Sequence, residues 1–131
     1  MSLDDVPEVL RLNRDRQVER LSALLSRITY RKGYEFYIGV TPGIKYPFIQ
    51  IRHWREDAMN PGCFGWGHGG KAYITVWATD SEIFQTCFGL AKAYEEHEVR
   101  EFFHVDGRRV FGPHIDTMAL AEVADRLDVR P

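Results

Sequence analysis

The amino-acid sequence predicts a single α+β domain spanning 1–131, built around a three-stranded antiparallel meander and a long central helix. Two observations support this fold class. Apolar residues recur at helical spacing before Gly33 and again after Thr79, and between these stretches they alternate with polar residues at the period of a strand. The connections between predicted strands are too short for the crossover that parallel neighbours need, so we expect antiparallel strands.

An N-terminal helix is predicted to begin at Asp5, which is placed to cap it, and to end at Gly33. Its apolar residues include Val18, Leu21 and Leu25, while the polar stretch 13–17 leaves open a break into two helices. The arginines of its first half alternate with acidic residues, and we interpret them as a solvent-facing helix surface. These arginines are Arg11, Arg14, Arg16 and Arg20.

Three strands follow. Strict alternation from Tyr34 to Val40 predicts the first, and Thr41-Pro42-Gly43 has the composition of a turn. The second is predicted from Phe48 to Arg55 and the third from Ala72 to Ala78. The glycine-rich segment 60–71 between them is interpreted as a long, flexible hairpin loop.

The second half contains the strongest local signals. Thr79-Asp80-Ser81-Glu82 is a capping box, and the helix that it opens is predicted to reach about Phe102. Asp106-Gly107 is typical of a two-residue hairpin turn. A C-terminal helix is predicted to begin at Asp116, with an apolar stripe of Leu120, Val123 and Leu127.

Charge and composition narrow the class of protein. The chain is 44% hydrophobic and 27% charged, as ordinary globular proteins are. Its 17 Lys and Arg residues are balanced by 19 Asp and Glu residues, and the net charge is −2. A nucleic-acid-binding protein usually carries a basic excess, because neutralising phosphate supplies much of its affinity. The charge therefore disfavours nucleic acid as a partner.

The first residues and the cysteines predict a cytoplasmic protein that does not enter a membrane. The N-terminal residues are acidic without a signal-peptide core, and no apolar run approaches the length of a membrane span. Cys63 and Cys87 lack CxxC spacing, so two free thiols in a reducing compartment are expected.

One candidate metal site lies near the end of the long helix. His97, Glu101 and His104 are spaced i, i+4 and i+7, which places them on one helical face. Two imidazoles and a carboxylate could hold zinc or iron. The segment fails the HExxH motif because its fifth position is Glu101. The alternative is a set of hydrogen-bonded polar groups where the helix leaves the core, and apart from this site no cofactor is expected.

Trp66, His68 and Lys71 form a second candidate site, for a small anion or a partner. Backbone N–H groups of a glycine-rich loop can make an anion-binding nest, and the lysine lies beside them. The segment is not a P-loop, since a strand rather than a helix follows the lysine. The alternative is a hairpin loop whose tryptophan covers an edge of the core.

Arg108, Arg109 and His114 form a third candidate site. Two arginines on a tight turn can clamp a phosphate or a carboxylate. They can equally be exposed turn residues paired with Glu98 or Glu101. No serine, cysteine or lysine lies in a recognisable nucleophile motif, and we expect a protein without catalytic activity.

The second half of the chain resembles a family of small hypothetical proteins encoded by actinobacteriophages and actinobacterial prophages. The resemblance rests on Gly65-Trp66-Gly67 with Lys71, Asp80-Ser81-Glu82-Ile83 with Gln85-Thr86, Glu95-Glu96-His97-Glu98 with Arg100-Glu101, and Gly107-Arg108 with Phe111-Gly112-Pro113-His114. The family has no assigned activity. The resemblance implies an origin, a phage or prophage gene, and a place in the cytoplasm of an actinobacterial host or in a virion.

Three functions follow from these observations. The first is a non-catalytic protein-binding or assembly module, a virion, assembly or host-interacting factor that binds a protein partner or self-associates. The second is a small-ligand (nucleotide or metal) binding protein or an enzyme, using the region of His97, Glu101, His104 and His114. The third is nucleic-acid binding. Exposed aromatic residues would support the first, although most of them could instead fill the core. The aromatic candidates are Tyr30, Tyr34, Tyr37, Tyr46 and Trp54.

Overall fold

The computed structural model describes residues 5–95 and 102–109, and it confirms the α+β class. The elements run in the order α1 (Glu8–Leu25), β1 (Ile28–Thr29), β2 (Tyr34–Gly39), β3 (Phe48–Glu56), β4 (Phe64–Tyr73), α2 (Asp80–Glu95), β5 (His104–Val105) and β6 (Arg108–Arg109). Two antiparallel sheets form, β2–β3–β4 and the small sheet β1–β5–β6. The predicted C-terminal helix beginning at Asp116 lies outside the described residues.

The third strand of the main sheet lies earlier than predicted. β4 begins at Phe64, so most of the segment interpreted as a flexible loop is strand, and residues 74–78 follow the strand instead of forming it. The reason is tertiary packing. A Cβ on Gly69 would lie 2.6 Å from Cγ2 of Ile51 and 2.7 Å from Cδ1 of Tyr94. Without a Cβ, the backbone of β4 at Gly69 can lie close to Ile51 of β3 and Tyr94 of α2. The free energy of this packing outweighs the low strand propensity of glycine.

A β-bulge interrupts the pairing of β3 with β4. Gln50 pairs with Lys71 and Arg52 pairs with His68, so two residues of β4 lie opposite Ile51 alone. The Gln50 side chain donates a hydrogen bond to the carbonyl of Gly69, at 2.9 Å. The bulge preserves the alternation of side chains between the two faces on either side of it.

α1 is one continuous helix, and both of its predicted ends are wrong. No side-chain hydrogen bond caps the helix, which begins after Pro7, and it ends at Leu25 rather than at Gly33. The segment after the helix pairs with the distant strand β5 instead. Gly33, with φ +89°, makes the turn that enters β2.

The interpretation of the α1 arginines as solvent-facing is wrong for Arg14 and for Arg20. Arg14 is 5% exposed and donates to the carbonyl of Ile44 at 2.7 Å. Arg20 donates to the carbonyl of Ala78 at 2.9 Å and to Asp80 at 2.6 Å. These side chains satisfy carbonyl groups of two loops that have no strand partner, so they hold α1 against the sheet.

The core lies between the helices and one face of the main sheet. It is formed by Leu21 and Leu24 of α1, Ile49 and Ile51 of β3, Ile74, the α2 residues Ile83, Phe84, Cys87, Phe88 and Ala91, and Phe103 and Val105. The capping box that opens α2 is confirmed: the Glu82 N–H donates to Oγ1 of Thr79 at 3.1 Å, and the Thr79 N–H donates to the Glu82 carboxylate at 3.4 Å. None of the helices in 5–95 and 102–109 is long and apolar enough to cross a bilayer.

The two cysteines differ sharply in exposure, and we expect them to differ in reactivity. Cys63 is exposed in the β3–β4 connection, whereas burial in the core raises the pKa of the Cys87 thiol. Because the thiolate is the reactive species, iodoacetamide should modify one thiol in the native protein and two in urea. Peptide mass mapping should assign the native adduct to Cys63. Native modification of Cys87 at a comparable rate would contradict the placement of α2 in the core.

Candidate protein-binding face

The side of the main sheet opposite the helices carries the candidate site, and we call it the outer face. Because side chains alternate along a strand, the pairing register assigns each residue to one side. The outer face comprises Glu35, Tyr37, Phe48, Gln50, Arg52, Trp54, Glu56, Phe64, Trp66, His68, Lys71 and Tyr73.

Large aromatic rings dominate the outer face. Their exposed fractions are Tyr37 40%, Trp54 48%, Phe64 56%, Trp66 37% and Tyr73 40%. Trp54 and Trp66 are cross-strand partners whose rings meet edge to face at 5.3 Å. Single exposed aromatic residues need no explanation, but several neighbouring ones on one sheet face mark an interaction surface.

Arg52 lies at the centre of the outer face and is held on three sides. Its guanidinium carbon lies 4.5 Å from the ring centroid of Tyr37 and 4.2 Å from that of Trp66. Its nitrogens also form an ion pair with Glu35 on the neighbouring strand. Stacking between two rings and a carboxylate contact restrict the side chain before any partner binds, which lowers the entropy cost of an interface.

Lys71 provides the second cation of the outer face. Its ammonium lies 4.7 Å from the ring centroid of Phe48 and 5.6 Å from that of Tyr73. Among residues 5–95 and 102–109, no carboxylate forms an ion pair with it. A hydrogen bond between Thr41 and the Tyr73 hydroxyl, at 2.8 Å, lowers the pKa of that hydroxyl, and the charge of Lys71 lowers it further.

An open cleft of about 410 Å³ lies where β3 connects to β4, and residues from both sides of the sheet line it. Its lining includes Arg55, Asp57, Cys63, Phe64 and Trp66. Hydrogen bonds from the Met59 N–H and the Asn60 side chain hold the connection in place and lower the pKa of Asp57.

Trp66, His68 and Lys71, predicted as one site, do lie together, but the anion nest that suggested them does not form. A nest needs successive N–H groups on one side, and an extended strand alternates them. The glycines of β4 have no positive φ, and the strand is paired with β3 on both sides of the bulge at Gly69-Gly70. The three side chains belong to the outer face instead.

The aromatic candidates divide between the two sides of the sheet. Tyr37 and Trp54 lie on the outer face, whereas Tyr30 and Tyr34 pack against the core. Tyr46 lies outside both groups, with the Lys45 ammonium 5.2 Å from its ring centroid.

The metal-site prediction assumed that His97, Glu101 and His104 share one helical face. His104 lies in β5 and contacts the carbonyl of Phe102, so the helical face that suggested the trio does not reach it. His97 and Glu101 lie outside the described residues. Within the part of the chain that the structure describes, no three His, Cys, Asp or Glu side chains could together hold a metal ion.

The structure places the two arginines of the third candidate site, Arg108 and Arg109, on a short exposed strand after a hairpin turn. The hairpin turn is confirmed, since Asp106 and Gly107 have φ 55° and 75°. Arg108 and Arg109 are, however, consecutive residues of β6, and consecutive strand residues point to opposite sides. His114, Glu98 and Glu101 lie outside the described residues.

Sequence reasoning missed Arg52, Phe64 and Tyr73 as parts of a site. One signal could have revealed the face: over 64–68 glycine alternates strictly with Phe64, Trp66 and His68. That is the period of a strand with one bare side.

Over residues 5–95 and 102–109, the fold and this face define a class of protein, an α+β fold with an exposed aromatic sheet face on one side and two helices on the other. No protein-family model, no curated protein and no solved structure matches the chain.

Proposed function

We propose that the protein is a non-catalytic protein-binding and assembly module, and that the outer face is its interface. The observation that carries the proposal is the position of Arg52 between Tyr37 and Trp66. Tyrosine, tryptophan and arginine are the residue types that dominate binding energy at protein interfaces. Here all three lie together: Tyr37 and Trp66 are exposed, and Arg52 is half-buried between their rings, where its contacts restrict it.

The charge of the outer face favours a protein over a nucleic acid. Arg52 and Lys71 are balanced by Glu35 and Glu56 on the same face, so the face has no basic excess. A nucleic-acid platform combines aromatic stacking with a positively charged track for phosphates. The net charge of −2 for the whole chain supports the same choice.

The partner that we propose is a second copy of the chain. A two-fold interface pairs one patch with itself, so the patch must be complementary to itself. Lys71 and Glu56 lie towards opposite ends of the outer face, about 20 Å apart along the strands. When two faces pack with their strands antiparallel, Lys71 of each copy meets Glu56 of the other. The aromatic rings then fill the centre of the interface.

The biological setting is part of the same proposal. The resemblance of the second half to proteins of actinobacteriophages and their prophages supports a role as a virion, assembly or host-interacting factor. Self-association through a flat face is consistent with each of these roles.

Sedimentation equilibrium of the wild-type protein, up to about 1 mM, tests the proposal. We expect a monomer–dimer equilibrium that Trp54→Glu weakens about 30-fold or more, because the change buries an unpaired charge at a central position. The matched control is Trp77→Glu. Trp77 is 76% exposed in the turn before α2, away from the outer face, so its replacement should leave Kd unchanged. A wild-type protein that stays monomeric over this range would overturn self-assembly.

A charge exchange provides a sharper test of the geometry. Lys71→Glu should weaken the dimer about tenfold, and adding Glu56→Lys in the same chain should restore it. The two positions are too far apart to contact within one chain, so restoration can come only from contact between copies. If the double variant is weaker than Lys71→Glu alone, the antiparallel packing of the two faces is wrong.

A further inference from the structure

A groove lies on the opposite side of the molecule from β4, between the second half of α1 and strand β2. Its volume is about 300 Å³. Its lining combines the apolar and aromatic side chains of Leu25, Ile28, Tyr30, Tyr34, Phe36 and Ile38 with the polar residues Ser22, Ser26 and Glu35. Apart from Glu35, none of its lining residues belongs to the outer face.

The backbone beside this groove has an unpaired edge. β2 is an outer strand of its sheet, with β3 on one side only. The Trp54 N–H donates to the carbonyl of Gly33 at 2.8 Å, which makes these two residues a hydrogen-bonded pair. Because such pairs alternate along an antiparallel ladder, the N–H and C=O groups of Phe36 and Ile38 point away from β3. No backbone group in 5–95 or 102–109 pairs with them.

We propose that β2 binds an extended peptide, which adds to the sheet as a further strand and places alternate side chains in the groove. Only another extended backbone can satisfy a row of strand donors and acceptors. The period of two along that backbone directs every second side chain toward the groove, where Leu25, Ile28 and Phe36 offer apolar contacts. The unpaired edge of β2 and the groove beside it therefore favour the same ligand, an extended peptide.

The positive charge of Lys32 gives this site a preference for acidic peptides. Lys32 is exposed just before β2 begins, and it has no ion-pair or hydrogen-bond partner in the part of the chain described. In antiparallel addition, the C-terminal end of the peptide lies near the start of β2. An acidic residue or a free carboxylate at that end would meet Lys32. The preferred ligand is thus a peptide with alternating apolar residues and an acidic C-terminal end.

A second copy of β2 fits this site less well than a peptide of another protein does. Antiparallel pairing of two copies about the centre of β2 places Lys32 opposite Thr41, where no carboxylate is available. The inner side chains of the second β2, Phe36 and Ile38, also already pack against the core of their own chain. The peptide of another protein has neither restriction.

The probe is a fluorescein-labelled peptide of about eight residues, with alternating threonine and valine and two glutamates at its C-terminus. We expect it to bind the full chain with a Kd of about 10–100 μM by fluorescence anisotropy. At saturation, hydrogen exchange of the Phe36 and Ile38 amides should slow at least about tenfold. The control peptide has proline in place of valine and should not bind, because proline removes the backbone donors.

Two variants locate the site. Ser22→Trp, which fills the groove from the helix, should weaken the peptide about tenfold. Lys32→Glu should weaken binding of the acidic peptide about tenfold, but it should not weaken binding of a peptide that ends in an amidated glutamine. The matched control is Lys45→Glu, because Lys45 lies away from the groove. The variants separate the groove from the edge of β2.

The outcomes also separate this inference from the proposed function. Trp54→Glu should bind the peptide as the wild type does, because the outer face is not involved. Absence of binding up to about 1 mM, or binding that leaves the Phe36 and Ile38 amides unprotected, overturns the inference. Protection of these amides that rises with protein concentration alone would assign the edge to a second copy and also overturn it.

Discussion

Replacing Phe103 by alanine should lower the free energy of unfolding by about 3–5 kcal/mol, the usual cost of removing a buried aromatic side chain. The Phe103 side chain is 0% exposed. Its ring centroid lies 5.6 Å from that of Phe88, 6.1 Å from that of Phe36 and 6.3 Å from that of Tyr30. It therefore joins α2, β2 and the segment before β2. A domain of this size has only about 5–15 kcal/mol of stability, so the variant should be partly unfolded at moderate temperature.

The neighbouring residue provides the control. Phe102 is 44% exposed, and its ring contacts the Arg31 guanidinium at 5.0 Å. Phe102→Ala should cost less than about 1 kcal/mol. Urea unfolding of the two variants, followed by tryptophan fluorescence, measures both values. Equal losses would show that Phe103 does not occupy the core in solution.

Replacing Gly69 by alanine should lower the free energy of unfolding by about 1–3 kcal/mol, the usual cost of inserting a methyl group into a packed site. The new Cβ would lie 2.6 Å from Ile51 and 2.7 Å from the Tyr94 ring. Neither neighbour can move freely, because Ile51 is 0% exposed and Tyr94 packs against the core cluster. Thermal unfolding followed by circular dichroism measures the loss as a lower Tm.

Gly65→Ala is the matched change for this prediction. Gly65 lies on the same strand and the same side of the sheet, but a Cβ there meets nothing within 4 Å. Alanine has the higher strand propensity, so this variant should be as stable as the wild type or slightly more stable. A loss at Gly65 as large as that at Gly69 would indicate a general requirement for glycine in β4, and would contradict close packing of α2 as the cause.

The accuracy of the sequence predictions follows the range of the interactions involved. The capping box of Thr79 and Glu82 and the turn at Asp106-Gly107 were predicted correctly, since each depends on residues only a few positions apart. The alternation in β2 was also recognisable, because apolar and polar residues mark its two sides. Where one side carries only glycine, as in β4, the same period is present, but the low strand propensity of glycine favours the interpretation as a loop.

The candidate site was predicted in fragments. Trp66, His68 and Lys71 were grouped as neighbours in sequence, and Tyr37 and Trp54 were named as possible interface residues. Arg52, which connects them, gave no local signal of its own. Its role depends on Tyr37 being on β2 and Trp66 on β4, and that relation exists only once the register of three strands is known.

By itself, the sequence determined the α+β class, the helix that begins after Thr79 and the strand period of Tyr34–Gly39, because these depend on local patterns of polarity and capping. Tertiary structure alone decided three further features. It made a strand of the glycine-rich segment, buried Arg14 against the carbonyl of Ile44, and placed His104 in β5 instead of on a helix. Each of these depends on a partner about 20 to 80 positions away, and the free energy of contact between distant segments outweighs local preference.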